Sequence, residues 1–110
     1  MITKTAKTIT LSIYIAGDLE DARRVCRAWC FEIGGCVTVE PVEFIYTGGT
    51  ETGVRVGFIN YPRFPTEEDA MMRRATDLGM RLMIELMQNS FSIEGPSETV
   101  WFSRRKEDQT

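Results

Sequence analysis

Thr8-Ile9-Thr10-Leu11-Ser12-Ile13-Tyr14-Ile15-Ala16-Gly17-Asp18, residues 8–18, decides how the rest of the chain is read. Ile9, Leu11, Ile13 and Ile15 alternate with Thr8, Thr10, Ser12 and Tyr14, and a period of two marks a half-buried strand. Ala16-Gly17-Asp18 ends it. Asp18 suits a helix N-cap, with Asp21 three residues on in the manner of a shortened capping box. Leu19, Ala22, Val25, Cys26, Trp29 and Ile33 then recur at helical spacing, and Gly34-Gly35 supplies a left-handed stop.

Outward from this strand and helix, the signals change type in order. A second strand is expected from Cys36 to Tyr46. Val37 and Val39 lie in one phase and Val42, Phe44 and Tyr46 in the other, and Pro41 at the switch calls for an edge strand or a bulge. Thr47 to Gly53 reads as a hairpin loop and Val54 to Asn60 as a third strand, with Val56 and Phe58 opposite Arg55, Gly57 and Ile59. Tyr61-Pro62-Arg63-Phe64-Pro65 is a stiff link, because each proline keeps its predecessor out of the helical region. Thr66 is expected to cap a long helix reaching Gln88 or Asn89, with Glu67, Glu68 and Asp69 in a first turn that favours acids. Short strands near Phe91–Glu94 and Thr99–Ser103 follow, and then a charged tail from about 104 to 110. The order β-α-β-β-α-β-β over residues 1–110 describes one α+β domain. Two helices pack on one face of an antiparallel sheet, in a ferredoxin-like or related sandwich.

Composition narrows the function. The chain has 110 residues, 43% hydrophobic and 26% charged, with a net charge of −3. These values exclude a wholly disordered chain and argue against general nucleic-acid binding. No apolar run approaches the ~20 residues of a membrane span. Residues 1–10 lack the pattern of a signal peptide. Histidine is absent, which removes the commonest general base and the commonest metal ligand together. No Ser-His or Cys-His pairing, metal site or cofactor is therefore expected, and the chain reads as non-enzymatic. Cys26, Cys30 and Cys36, an odd count with no fourth ligand, read as reduced structural thiols of a cytoplasmic protein. Ten of the 13 basic residues are arginine, the side chain suited to phosphates, carboxylates and flat rings; codon usage would give the same bias.

Three clusters stand out as candidates. Arg23, Arg24 and Arg27 with Phe31 lie away from the apolar stripe of the first helix; they form either a cationic, aromatic contact patch or a solvated face with one stray aromatic. In the second helix Met71, Ala75, Leu78, Leu82 and Leu86 form the expected stripe. Met80, Ile84 and Met87 fall opposite it with Met83 between, so a helix apolar nearly all round asks for further cover, most simply from a second copy in a two-fold dimer. The third cluster joins Asn60, Tyr61, Arg63 and Phe64 to Asn89, Phe91, Trp101, Arg104 and Arg105. Guanidinium groups and rings emerge together there, and a charged tail beside ordinary core aromatics is the plain alternative.

The chain also resembles a family of small phage proteins. Ile13-Tyr14-Ile15-Ala16-Gly17-Asp18, Tyr46-Thr47-Gly48-Gly49 with Gly53-Val54, Ile59-Asn60-Tyr61-Pro62-Arg63-Phe64-Pro65, Phe91-Ser92-Ile93 and Trp101-Phe102-Ser103-Arg104-Arg105 carry the likeness. It is to the first-described type of Thoeris anti-defence protein. The resemblance implies a non-catalytic sponge that sequesters cyclic ADP-ribose isomers in the host bacterial cytoplasm. It also implies assembly as dimers or rings of dimers, with cyclic oligonucleotides as possible further ligands in the larger forms. It would give the ligand site Asn89 and Arg104 or Arg105, and the third cluster adds Tyr61, Arg63 and Phe91. Arg23, Arg24 and Arg27 beside Phe31 become a second site, and Met80, Met83, Ile84 and Met87 an oligomer interface. The phenylalanine that such a family carries within the second helix is missing here. A protein-binding inhibitor of a host defence complex, of the anti-CRISPR kind, and a ligand-sensing regulatory domain are the competing classes, with a small hydrolase behind them.

Overall fold

The alternating stretch becomes the middle of a sheet. The computed structural model describes residues 1–109, and β1 (Thr10–Ala16) lies in it between two other strands. Helix α1 (Leu19–Trp29) follows, then β2 (Thr38–Tyr46), β3 (Gly49–Ile59), α2 (Glu68–Glu85), β4 (Ser90–Glu94) and β5 (Thr99–Ser103). The five strands run in the order β2-β3-β1-β4-β5, every neighbour antiparallel. Because β3 separates β1 from β2, the first unit is a split β-α-β. The first four strands therefore have the ferredoxin-like arrangement, and β5 extends it at the β4 edge.

Both helices cover one face. Leu11, Ile13 and Ile15 of β1, Val54, Val56 and Phe58 of β3, and Phe91 and Ile93 of β4 meet Ala22, Cys26 and Trp29 of α1 and Met71, Ala75, Leu78 and Leu82 of α2, all of them buried. The stripe expected on α2 is thus the one that packs. Gly79 allows α2 to lie close to β4, since a Cβ there would collide with the Phe91 ring. Phe91 in turn stacks on Phe102, centroids 4.7 Å apart.

Local signals explain the element ends. Asp18 caps α1 by accepting from the Asp21 amide at 3.0 Å, which satisfies one of the unpaired donors of the first turn. Past Trp29 the helix widens into a π-helical turn, Cys30–Gly34. The extra residue in the wider turn carries Ile33 out of the core stripe, so Ile33 is exposed rather than buried as its spacing suggested. At α2 the cap is Glu67, with no side-chain hydrogen bond. Thr66, the expected cap, instead gives its amide to Asn60 Oδ1 at 2.8 Å. The helix also stops at Glu85, short of Gln88, as Met87 turns to a positive φ of 55°.

The long loop expected at Thr47–Gly53 is a two-residue turn at Thr47-Gly48, where Gly48 takes a φ of 89°. The β2–β3 ladder continues without a bulge from Thr38↔Gly57 to Tyr46↔Gly49. Pro41 is accommodated because β2 is an edge strand, where a missing N–H costs little. β1 ends opposite Gly53, so the end of this hairpin projects past the sheet with Ile45 and Tyr46 exposed. The tail is also more ordered than its charge suggested. Lys106–Asp108 forms one 3-10 turn, held by Ser103 Oγ donating to Asp108 at 2.5 Å; Thr110 lies outside the described residues. No helix among the described residues is long and apolar enough to cross a membrane.

Candidate functional site

The most developed concavity lies where three separate segments meet at one end of the sheet. The π-helical turn and its exit bring Gly34, Gly35 and Cys36. The end of β3 and the proline-stiffened link bring Phe58, Tyr61, Phe64 and Thr66, and the first half of α2 brings Met71 and Arg74. The cleft encloses about 570 Å³, within the usual range for a small-molecule site. Its walls are mainly apolar and aromatic. None of the described residues lining it carries a carboxylate.

Arg74 is the one charged side chain among the described residues that line it. The guanidinium lies over the Trp29 ring, with Cζ 5.2 Å from the centroid, and its Nη2 donates to Gly34 O at 2.5 Å. Trp29 is buried and fixed in turn by its indole N–H, which donates to Asp77 at 2.7 Å. A Cβ at Gly35 would sit 2.6 Å from Arg74 Nη2, so a side chain there would displace the guanidinium. A charge placed over a ring and hydrogen-bonded to backbone is partly oriented before any ligand arrives.

Across the cleft, the Cys36 thiol donates to the Tyr61 hydroxyl at 3.6 Å. Hydrogen bonding with Cys36, and then partial burial, push the Tyr61 phenol above its usual value, so it stays protonated at neutral pH. The link is anchored from behind by Asn60. Its Nδ2 donates to Lys7 O at 2.7 Å and its Oδ1 accepts from the Thr66 amide. Asn60 is therefore a buried fastener and not a reader of ligand edges. Phe64 stands exposed at the mouth, with Arg63 against its ring at 5.3 Å.

The sequence-derived ligand set is divided by the fold. Tyr61 and Arg63 lie beyond the Ile59 end of β3, opposite Thr10, whereas Asn89 precedes β4 at the Ala16 end of β1. Seven residues of strand separate the two groups, about 20 Å. At the second end the Arg104 amide donates to Asn89 O at 2.8 Å and its Nε to Gln88 O at 2.9 Å. Arg105 pairs with Asp108 at 3.6 Å. Phe91 is buried in the core beneath α2 and is no ligand contact. Of the second-site candidates, Arg23 pairs with Glu20 at 2.6 Å and Arg24 with Asp21 at 2.9 Å. Arg27 borders a shallow hollow with Cys26 and Cys30, and Phe31 is almost wholly exposed. Among the proposed interface residues Met80, Ile84 and Met87 reach the surface, but Met83 is buried and belongs to the core. Its position between the two stripes is resolved inward because α2 is flanked by both α1 and β4.

The sequence pattern does not single out Arg74, Cys36 or the Gly34-Gly35 backbone as site residues. Arg74 borders the apolar stripe one position before Ala75, where a long side chain reaches along the core edge. That pattern was the only local signal. A second surface was also missed. On the sheet face away from the helices, Glu40, Arg55, Tyr14, Ser92 and Trp101 stand in one row across all five strands. Arg55 there is paired with Glu40 at 2.6 Å. No group of three or more side chains able to hold a metal ion occurs among the described residues.

A small α+β domain with an aromatic, singly charged cleft is the class defined by this geometry. No family model matches the chain, and no curated protein does. Two solved structures of a phage SAM lyase share its fold. One, in the apo state, aligns with a TM-score of 0.76 at 15% identity, covering 96% of this chain and 97% of that chain. The other, in complex with S-methyl-5'-thioadenosine, aligns with a TM-score of 0.67 at 16% identity, covering 94% and 95%. These likenesses establish the fold. They also correct the functional expectation: proteins built this way over their whole length include an enzyme acting on SAM, so a non-catalytic sponge for cyclic ADP-ribose is no longer the reading to carry forward. The Thoeris anti-defence resemblance itself is neither supported nor refuted by them.

Proposed function

We propose that this chain is an enzyme that cleaves S-adenosylmethionine (SAM) without water, releases S-methyl-5'-thioadenosine, and does so in the cleft between Gly34–Cys36, Tyr61–Thr66 and Arg74. The observation that carries the reading is the likeness over nearly the full length of both chains to a SAM lyase, one of whose structures holds the nucleoside thioether.

The chemistry suits a site of this composition. SAM carries a sulfonium, whose leaving group is a neutral thioether and needs no proton. The substrate's own carboxylate can supply the electron pair. Its oxygen bonds to Cγ, the Cγ–S bond breaks with its electrons left on sulfur, and the products are the thioether and a five-membered lactone. No proton or water is consumed. The absence of histidine and of carboxylates lining the cleft is therefore compatible with turnover. An intramolecular displacement depends on holding the oxygen about 3–3.5 Å from the carbon. The charges also cancel as the bond forms, and removing both from water favours that change. Apolar walls with aromatic faces of Tyr61 and Phe64 fit the ring and the sulfonium.

Incubating the purified chain with SAM and resolving the mixture by chromatography tests this. S-methyl-5'-thioadenosine should accumulate well above the spontaneous breakdown in a protein-free blank. SAM recovered intact, at the blank rate, would overturn the proposal.

A further inference from the structure

We infer that Arg74 is the group that binds the substrate's carboxylate and thereby sets the direction in which SAM lies in the cleft; this rests on the proposed SAM cleavage. A guanidinium has five N–H donors, and the structure gives Arg74 one hydrogen bond, from Nη2 to Gly34 O. Among the described residues no carboxylate lies within ion-pair distance of it. The neighbouring acids are committed elsewhere. Asp77 accepts from the Trp29 indole, and Glu32 pairs with Arg81.

Arg74 is thus a half-buried cation with spare donors and no counter-ion, in a cleft otherwise lined by uncharged groups. An anionic ligand group is its complement, and a carboxylate matches the planar fork with two parallel hydrogen bonds. Trp29 lies beneath the guanidinium and the Gly34 carbonyl accepts from Nη2, which leaves the other N–H groups to a ligand. The aromatic end of the cleft, at Tyr61 and Phe64, is left for the adenine. A ligand with an acid at one end and a flat ring at the other fits in one sense only. Its sulfur then lies between, where the displacement needs it.

Calorimetric titration with three probes tests the assignment: S-adenosylhomocysteine, its decarboxylated analogue and S-methyl-5'-thioadenosine. The first two differ only in the carboxylate. The wild-type chain should bind the first about tenfold or more tightly than the second, as expected for a charge-assisted hydrogen-bonded pair. In Arg74→Gln that gap should close, with the affinity for S-methyl-5'-thioadenosine kept within about twofold, the scale of a change remote from that ligand. Arg74→Lys should recover part of the gap, since it keeps the charge and loses the fork. An unchanged gap in Arg74→Gln, no gap in the wild type, or equal loss of all three probes in a variant that melts like the wild type would each overturn the assignment. A wild-type chain that binds none of the probes would overturn the SAM reading of the cleft itself, and the assignment with it.

Discussion

The two ends of the sheet hold the same kinds of residue to different effect. At one end Arg74, Tyr61 and Phe64 surround a cleft. At the other Asn89, Arg104 and Arg105 gather where β4 and β5 leave the sheet, as rich in hydrogen-bonding groups and richer in charge. The second group is engaged with itself: Arg104 holds Gln88 and Asn89, and Arg105 faces Asp108. Both arginines are exposed, where an ion pair or hydrogen bond contributes little. Arg74 is half-buried over Trp29 and has no carboxylate partner among the described residues. The cleft is thus set apart by concavity and by unspent donors held in place, and the local density of arginine does not distinguish it from a closed surface.

The largest effect should come from a residue that belongs to neither end as a site. Phe91→Ala removes a buried ring that stacks on Phe102 and fills the space above Gly79. Denaturant unfolding should show a loss of about 3–5 kcal/mol, with Tyr61→Phe near wild type. A Phe91→Ala chain of normal stability and lost ligand affinity would put Phe91 back in a binding site. Next comes catalytic efficiency. Arg74→Gln should lower kcat/KM for SAM by about ten- to a hundredfold, chiefly through KM, the scale of a hydrogen bond to a charged group. Arg104→Gln and Arg105→Gln should remain within about twofold, as exposed polar groups generally do. The reverse ranking would exchange the roles of the two ends.

A smaller contrast lies among the thiols. Burial, and then the charge of Cys30, push the Cys26 thiol up to about 12 from 9.0. The raised folded-state value means that the unfolded chain loses this proton first as pH rises. The stability that Cys26 contributes is complete below about pH 9 and is lost as pH climbs towards 12. Cys30 and Tyr61 are shifted in the same direction. Thermal midpoints should fall above pH 9, and less steeply in Cys26→Ala; a flat profile would contradict the buried placement. The smallest effect is kinetic. Cys36, exposed at the cleft, should be alkylated before Cys26, and S-methyl-5'-thioadenosine should slow its reaction a few-fold. No protection would place the ligand elsewhere.

Periodicity made much of the fold legible. The alternation around Ile13, the Asp18 cap, the Met71–Leu86 stripe and strand β5 all follow from local pattern. What pattern could not show was geometry set at a distance. The π-helical turn that ejects Ile33 and the Thr66 amide drawn to Asn60 leave no periodic trace, and the burial of Met83 depends on α1, remote in sequence. The cleft is harder still, because Gly35, Tyr61 and Arg74 meet only through the topology. Missing histidine also suggested missing chemistry, an inference that holds for reactions needing a proton shuttle. A sulfonium that departs as a neutral thioether needs none.

The most direct test is an amide and side-chain NMR titration of the wild-type chain with S-methyl-5'-thioadenosine. Saturable shifts should concentrate at Gly35, Cys36, Tyr61, Phe64 and Thr66, with Arg104, Arg105 and the Tyr14–Trp101 row unmoved. Shifts centred on β4, β5 or the open sheet face, with the cleft silent, would contradict the account.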